Sequence, residues 1–233
     1  MSRITTIGFD ADDTLWENER FFRNSEAHLA DLLADHLPVA ATTERLYQIE
    51  ARNLAVYGYG IKGFTLSMIE TALEVTGGRA DPALIARILQ IGRDMLAHPV
   101  DTLPDAGQVL EMLAGRYRLV LITKGDLFDQ ERKLAASGLG DHFDAVEIVA
   151  DKRPDTYARI FTRHGDGPER AAMVGNSLKS DVLPAIAAGG WGVFVPHALT
   201  WSHEHAEEPE PGAERFARID RLADLPPLIG AIG

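Results

Sequence analysis

Apolar residues along the chain gather in short unbroken runs, each ending in polar and chemically capable side chains. Residues 4–9 run into Asp10-Ala11-Asp12-Asp13-Thr14, and residues 118–122 run into Thr123-Lys124-Gly125-Asp126. Residues 171–174 lead to Gly175-Asn176-Ser177 and then Ser180-Asp181, and a weaker run, 145–150, leads to Asp151-Lys152-Arg153-Pro154. Runs without polar alternation predict strands buried on both faces, as in a parallel sheet. Helical spacing fills the intervals at 105–114, 127–137, 155–164 and 181–188, the last closing on Gly189-Gly190. Strand alternating with helix predicts an α/β fold, a Rossmann-like parallel sheet with helices on both faces.

Residues 17–98 break this rhythm. They hold no good strand and four helical segments, near 19–36, 43–57, 64–76 and 82–97. In the third, Phe64, Met68, Ile69, Ala72 and Val75 recur at helical spacing before Gly77-Gly78 stops it. The fourth opens on Asp81-Pro82, a capping side chain followed by proline at the first helical position. The expected organisation is an α/β core from residues 1–16 and 99–233, with an all-helical cap, 17–98, inserted after the first strand. A helical elaboration with no gating role fits the same pattern. Residues 202–212, acidic and proline-rich, read as a surface loop.

Composition narrows the partners. The 233 residues carry a formal net charge of −12, against nucleic acid or an anionic membrane surface as main partner. No apolar run is long enough for a signal peptide or a membrane-spanning helix. No cysteine is present, which excludes disulfides and thiolate metal sites and suits a reducing cytoplasm, the expected location. An anionic substrate needs local positive charge from a metal or a few lysines. Whether the chain is a monomer or a homodimer is not readable.

Open α/β sheets bind ligands at the carboxyl ends of their strands, where the polar clusters fall. Asp10-Ala11-Asp12 alone reads equally well as a solvated acidic turn. Asp181 adds a third acid at the same edge, and three carboxylates suit a hard divalent ion such as Mg²⁺. Lys152 supplies a compact positive charge and Thr123 a hydroxyl. A carboxylate nucleophile, a metal, a lysine and a hydroxyl are the parts that phosphoryl transfer uses.

Here a resemblance becomes definite. Gly8-Phe9-Asp10-Ala11-Asp12-Asp13-Thr14-Leu15 resembles the first signature of the haloacid dehalogenase superfamily, Asp-x-Asp-x-Thr after a strand. Leu121-Ile122-Thr123 resembles the second signature, Lys152 the third, and Gly175-Asn176-Ser177 through Asp181 the fourth. The helical insertion is similar to that family's C1-type cap. The resemblance implies a Mg²⁺-dependent phosphatase of a small phosphorylated metabolite. Asp10 is then the nucleophile and forms an aspartyl-phosphate. Asp12 protonates the leaving oxygen, activates water, and offers its main-chain carbonyl to the metal. Thr123 and Lys152 hold the phosphoryl group, and Asp10, Asp12, Asp181 and Asn176 form the metal set. Lys124 and, from the insertion, Lys62 are further substrate-binding candidates.

The chain departs from the family pattern at two places. Asn176 stands where many members have Asp, lowering the site's negative charge. Asp13 replaces a common glycine and reads as structural. Arg153 competes with Lys152 as the third signature. A phosphomutase, a phosphonatase using Lys62, a 2-haloacid dehalogenase and a non-catalytic phospho-binding module remain as alternatives. The dehalogenases usually lack an acid at the position of Asp12. His197, His203 and His205 with nearby glutamates form a weak second metal candidate, and Trp16 and Trp201 either line a cleft or pack.

Overall fold

A computed structural model describes residues 3–199, 201, 204, 206–210 and 212–232. It divides into two compact units: residues 1–19, 100–124 and 130–233 form one, and residues 20–99 with 125–129 the other.

The first unit is built on a six-stranded sheet in the order β3-β2-β1-β4-β5-β6. The strands are β1 (Thr6–Phe9), β2 (Arg118–Lys124), β3 (Ala145–Val149), β4 (Ala171–Gly175), β5 (Trp191–Phe194) and β6 (Phe216–Arg218). Every pairing is parallel. All of β1 and β4 is buried, which is why both read as continuous apolar runs. Alternation along β2 then divides the core. Leu119 and Leu121 join Ile7, Phe9 and Val174 under the helices α5 (Ala106–Leu113) and α9 (Leu225–Ile232). Val120 and Ile122 face the other way, against Tyr157, Ile160 and Phe161 of α7 (Pro154–His164) and Ala185 of α8 (Leu183–Ala187).

The chain proceeds from β1 outward through β2 and β3, then returns to the other side of β1 for β4 to β6. The order therefore reverses between β1 and β4, the crevice where such sheets take ligands. Register brings both strands to that edge together, Phe9 opposite Val174.

The second unit holds four helices, α1 (Glu19–Leu32), α2 (Val39–Tyr57), α3 (Ile61–Val75) and α4 (Pro82–Ala97). Its core comprises Leu29, Leu33, Leu46, Ile61, Phe64, Met68, Ala72, Ile88 and Met95. Asp81 caps α4 as expected, its carboxylate accepting the Ala83 N–H at 2.8 Å. Helix α2 starts earlier than its apolar spacing suggests, because Pro38 precedes it in an extended conformation and lacks the N–H that a helix start leaves unpaired. Helix α6 (Leu127–Ser137) forms as expected. Among the described residues, no helix is long and apolar enough to cross a membrane.

Three elements escape the periodicity: β5, β6 and α9. Strand β5 is four residues set between Gly189-Gly190 and Pro196, turn signals that mask its short apolar run. The glycine within the strand is required. A Cβ on Gly192 stands 2.7 Å from the Val182 carbonyl oxygen, which is main chain and cannot swing aside. We expect Gly192→Ala to lower unfolding free energy by about 1–3 kcal/mol in urea titrations, the usual cost of overpacking. An unchanged midpoint contradicts this packing.

Candidate active site

Apart from Lys62 and its partners, every side chain described below belongs to the first unit. Asp10 leaves β1 still paired to its neighbour, donating its N–H to Val174 O at 2.9 Å. Its carboxylate is buried and held from two sides. Lys152 Nζ reaches Oδ1 at 2.5 Å, and the Thr14 hydroxyl donates to Oδ2 at 3.0 Å. Thr14 in turn accepts the Asn176 N–H at 3.1 Å, which ties the loop after β1 to the loop after β4.

Lys152 also donates to Asp181 Oδ1 at 2.7 Å, and Asp181 Oδ2 accepts the Ser177 N–H at 3.0 Å. Asp181 is fully buried. It is placed by a π-turn, Leu178–Val182, in which Asp181 and Val182 both donate to Ser177 O. Ser177 begins that turn by accepting the Ser180 N–H on its own hydroxyl, so the helical segment starts three residues before the expected position. Gly175 leaves room for the carboxylate: a Cβ there sits 2.2 Å from Asp181 Oδ2.

Two buried carboxylates thus share one buried ammonium, and burial of charge is tolerated only with such pairing. Burial, and then repulsion by Asp181, push Asp10 up to about 7 against the pull of Lys152. Burial opposes the charge on Lys152, but Asp10 and Asp181 outweigh it and hold the ammonium well above the usual lysine range. Arg153, the competing candidate, is largely exposed and turns to Asp151 and Asp155.

The acids do not meet as three side chains. Asp12 Oδ1 accepts Trp16 Nε1 at 2.7 Å and Lys133 Nζ at 2.6 Å, while Oδ2 accepts Gln130 Nε2 at 3.1 Å. Its carboxylate is thereby held by three donors of its own. Gln130 also reaches Thr123 Oγ1 at 2.6 Å and Lys124 O at 2.9 Å, linking Thr123 to Asp12.

Among the described residues, the one group of three acids or histidines with donor atoms within 4.8 Å of one another is Asp13, Glu17 and His197. Asp13 there serves the backbone. In a left-handed conformation, φ 59°, its carboxylate accepts the N–H groups of Asn18 at 2.8 Å and Glu19 at 3.0 Å. His203 and His205 lie outside the described residues.

Both additional lysines are matched by carboxylates. Lys124 Nζ pairs with Glu204 Oε1 at 2.6 Å and with Ser180 Oγ at 2.7 Å. Burial works against the Glu204 charge, but Lys124 and the hydroxyls of Ser177 and Ser180 draw the carboxyl down to about 2. The 202–212 stretch is therefore not wholly a surface loop. In the helical unit, Lys62 Nζ sits 2.9 and 3.0 Å from the Asp126 oxygens and over the Phe128 ring.

Sequence reasoning missed Trp16 as a hydrogen-bond donor, and missed Gln130, Lys133, Tyr157 and Glu204. Gln130 and Lys133, three apart on α6, were findable as polar residues on one helix face directly after a functional strand end. Tyr157, whose hydroxyl donates to Ser180 O at 2.9 Å, hides in the apolar stripe of α7. Glu204 carried no local signal.

The donor chemistry fits a hard divalent cation. Asp10 and Asp181 set two buried carboxylates against one ammonium, and carboxylate oxygens are the donors that such ions take.

A parallel sheet with these four strand-end segments defines a class, and the chain belongs to it: residues 4–189 match the haloacid dehalogenase-like hydrolase family. The protein is a hydrolase. Among its relatives, glyceraldehyde 3-phosphate phosphatase of Methanothermobacter thermautotrophicus is 26% identical, over 88% of this chain and 92% of that one. N-acylneuraminate-9-phosphatase of Mus musculus is 25% identical, over 100% of this chain and 96% of its own. A haloacid dehalogenase-like family hydrolase from Xanthomonas campestris superposes with a TM-score of 0.87 at 43% identity, covering 98% of this chain and 91% of that one.

A carboxyl raised from 3.8 to about 7 binds its proton more tightly in the folded state, so it costs stability as pH climbs through that window. Asp10→Asn removes the cost. In chelator-containing buffer we expect this variant to melt higher than the parent at pH 8, with the gain vanishing near pH 4. A pH-independent difference contradicts the burial argument.

Proposed function

We propose that the protein is a magnesium-dependent phosphomonoester hydrolase that acts on a small phosphorylated metabolite through an aspartyl-phosphate on Asp10. The observation that carries this reading is the buried Asp10 carboxylate, aimed by Lys152 and Thr14 beside a second buried acid, Asp181. The phosphatase names of the relatives support the same reaction class.

Asp10, Asp181, Asn176 and the Asp12 carbonyl would hold the ion, which when bound supplies positive charge opposite the phosphoryl oxygens. The chain's own groups do the rest. An Asp10 oxygen bonds to phosphorus as the ester P–O bond breaks, and Asp12 passes a proton to the departing oxygen. Asp12 then takes a proton from water as the water oxygen bonds to phosphorus. The bond to Asp10 breaks, inorganic phosphate leaves, and the carboxylate is restored. Lys152 and the Thr123 hydroxyl neutralise and orient the phosphoryl oxygens throughout. Asp12 makes ester cleavage the better reading than dehalogenation, since only the former has an alcohol to protonate.

Turnover of 4-nitrophenyl phosphate with Mg²⁺ tests the proposal. We expect phosphate release that chelator abolishes and Mg²⁺ restores, and a loss of at least about 10³-fold in Asp10→Asn, consistent with removal of a nucleophile. Equal rates in parent and variant remove Asp10 from the mechanism.

A further inference from the structure

The Asp12 carboxylate is gripped more completely than a strand-end acid requires. Trp16 Nε1 and Lys133 Nζ both donate to Oδ1, and Gln130 Nε2 donates to Oδ2. The three donors come from two directions. Trp16 is fully buried, its main chain bridged to Asp12 and to Thr102, so its indole is a fixed post. Gln130 and Lys133 are one turn apart on α6 and are themselves buried. Lys133 is further steadied by Asn18 Oδ1 at 3.2 Å.

Gln130 shows what the arrangement is for. Its amide nitrogen spans Asp12, the Thr123 hydroxyl and Lys124 O, while its own Oε1 is buried with no hydrogen-bond partner. An unmet buried acceptor is costly, and packing alone gives no reason to carry one. Leucine or methionine would fill such a site without that cost.

We infer that Lys133 and Trp16 are positioning residues that aim the Asp12 carboxylate, while Gln130 carries its hydrogen bonding on to the Thr123 hydroxyl. This rests on the proposed role of Asp12 as the group that protonates the leaving oxygen. Proton transfer from a fixed direction matters most when the leaving alcohol is a poor one, because a stable aryloxide departs without help. The specificity constant kcat/KM covers the steps through departure of the alcohol, so it reads this step even when hydrolysis of the phosphoenzyme limits kcat.

The experiment compares kcat/KM for an alkyl phosphate and for 4-nitrophenyl phosphate in the parent, Lys133→Met, Lys133→Arg, Trp16→Phe and Asp12→Asn. In Lys133→Met the alkyl-to-aryl ratio falls at least about tenfold, a fraction of what general acid catalysis supplies. Lys133→Arg, which keeps a cation on Asp12, recovers most of the ratio. Trp16→Phe retains the buried ring while deleting one donor, and lowers the ratio in the same sense, so the question is answerable even if Lys133→Met folds poorly. An unchanged ratio in both Lys133→Met and Trp16→Phe, with the ratio lowered in Asp12→Asn, overturns the inference alone. An unchanged ratio in Asp12→Asn overturns the acid role beneath it, and the inference with it.

Discussion

One lysine ammonium between two buried carboxylates sets the terms for the rest of this molecule. Lys152 touches Asp10 and Asp181 at 2.5 and 2.7 Å with almost no exposure to solvent. Removing the ammonium from this buried cluster costs about 3–5 kcal/mol, because it strands two acids without their shared partner. The cluster is also incomplete in charge, with two acids against one base. That imbalance keeps Asp10 easy to protonate.

The fold exists to bring these three groups together from distant parts of the chain. Asp10 follows β1, Asp181 follows β4, and the two strands are neighbours at the point where the sheet order reverses. Lys152 comes from beyond β3, and the chain enters α7 at Pro154, two residues on. Thr14 bridges the loops after β1 and β4 through Asp10 and the Asn176 N–H. The π-turn at Leu178–Val182 and the bare Cα of Gly175 let the Asp181 carboxylate lie against the strand end. Substituting any of these supports displaces a charge rather than a contact.

The parallel sheet and its helices were legible because both faces are covered, and burial on two sides writes continuous apolar runs at β1, β2 and β4. Three signature segments were legible for the same reason, while Lys152 follows the weaker run of the less buried strand β3. What stayed hidden was set by tertiary contact. Strand β5 is hidden between Gly189-Gly190 and Pro196, and the three-residue β6 survives as its edge partner. Glu204 gains its place only because Lys124, Ser177 and Ser180 converge from other segments. The acidic pair Asp10 and Asp12 reads as one unit along the chain, yet the side chains separate: Asp10 goes to Lys152, and Asp12 to Trp16, Gln130 and Lys133. Two acids two residues apart thereby receive different chemical surroundings, the division of labour that acid and nucleophile need.

If the cluster serves to make Asp10 a phosphoryl acceptor, the acceptor must be chemically marked during turnover. The direct measurement is mass spectrometry of protein quenched in acid while it turns over an aryl phosphate with Mg²⁺. The account predicts a phosphoryl adduct confined to the peptide bearing Asp10 and absent from Asp10→Asn. Product accumulating while that peptide stays unmodified, or an adduct on another residue, contradicts it.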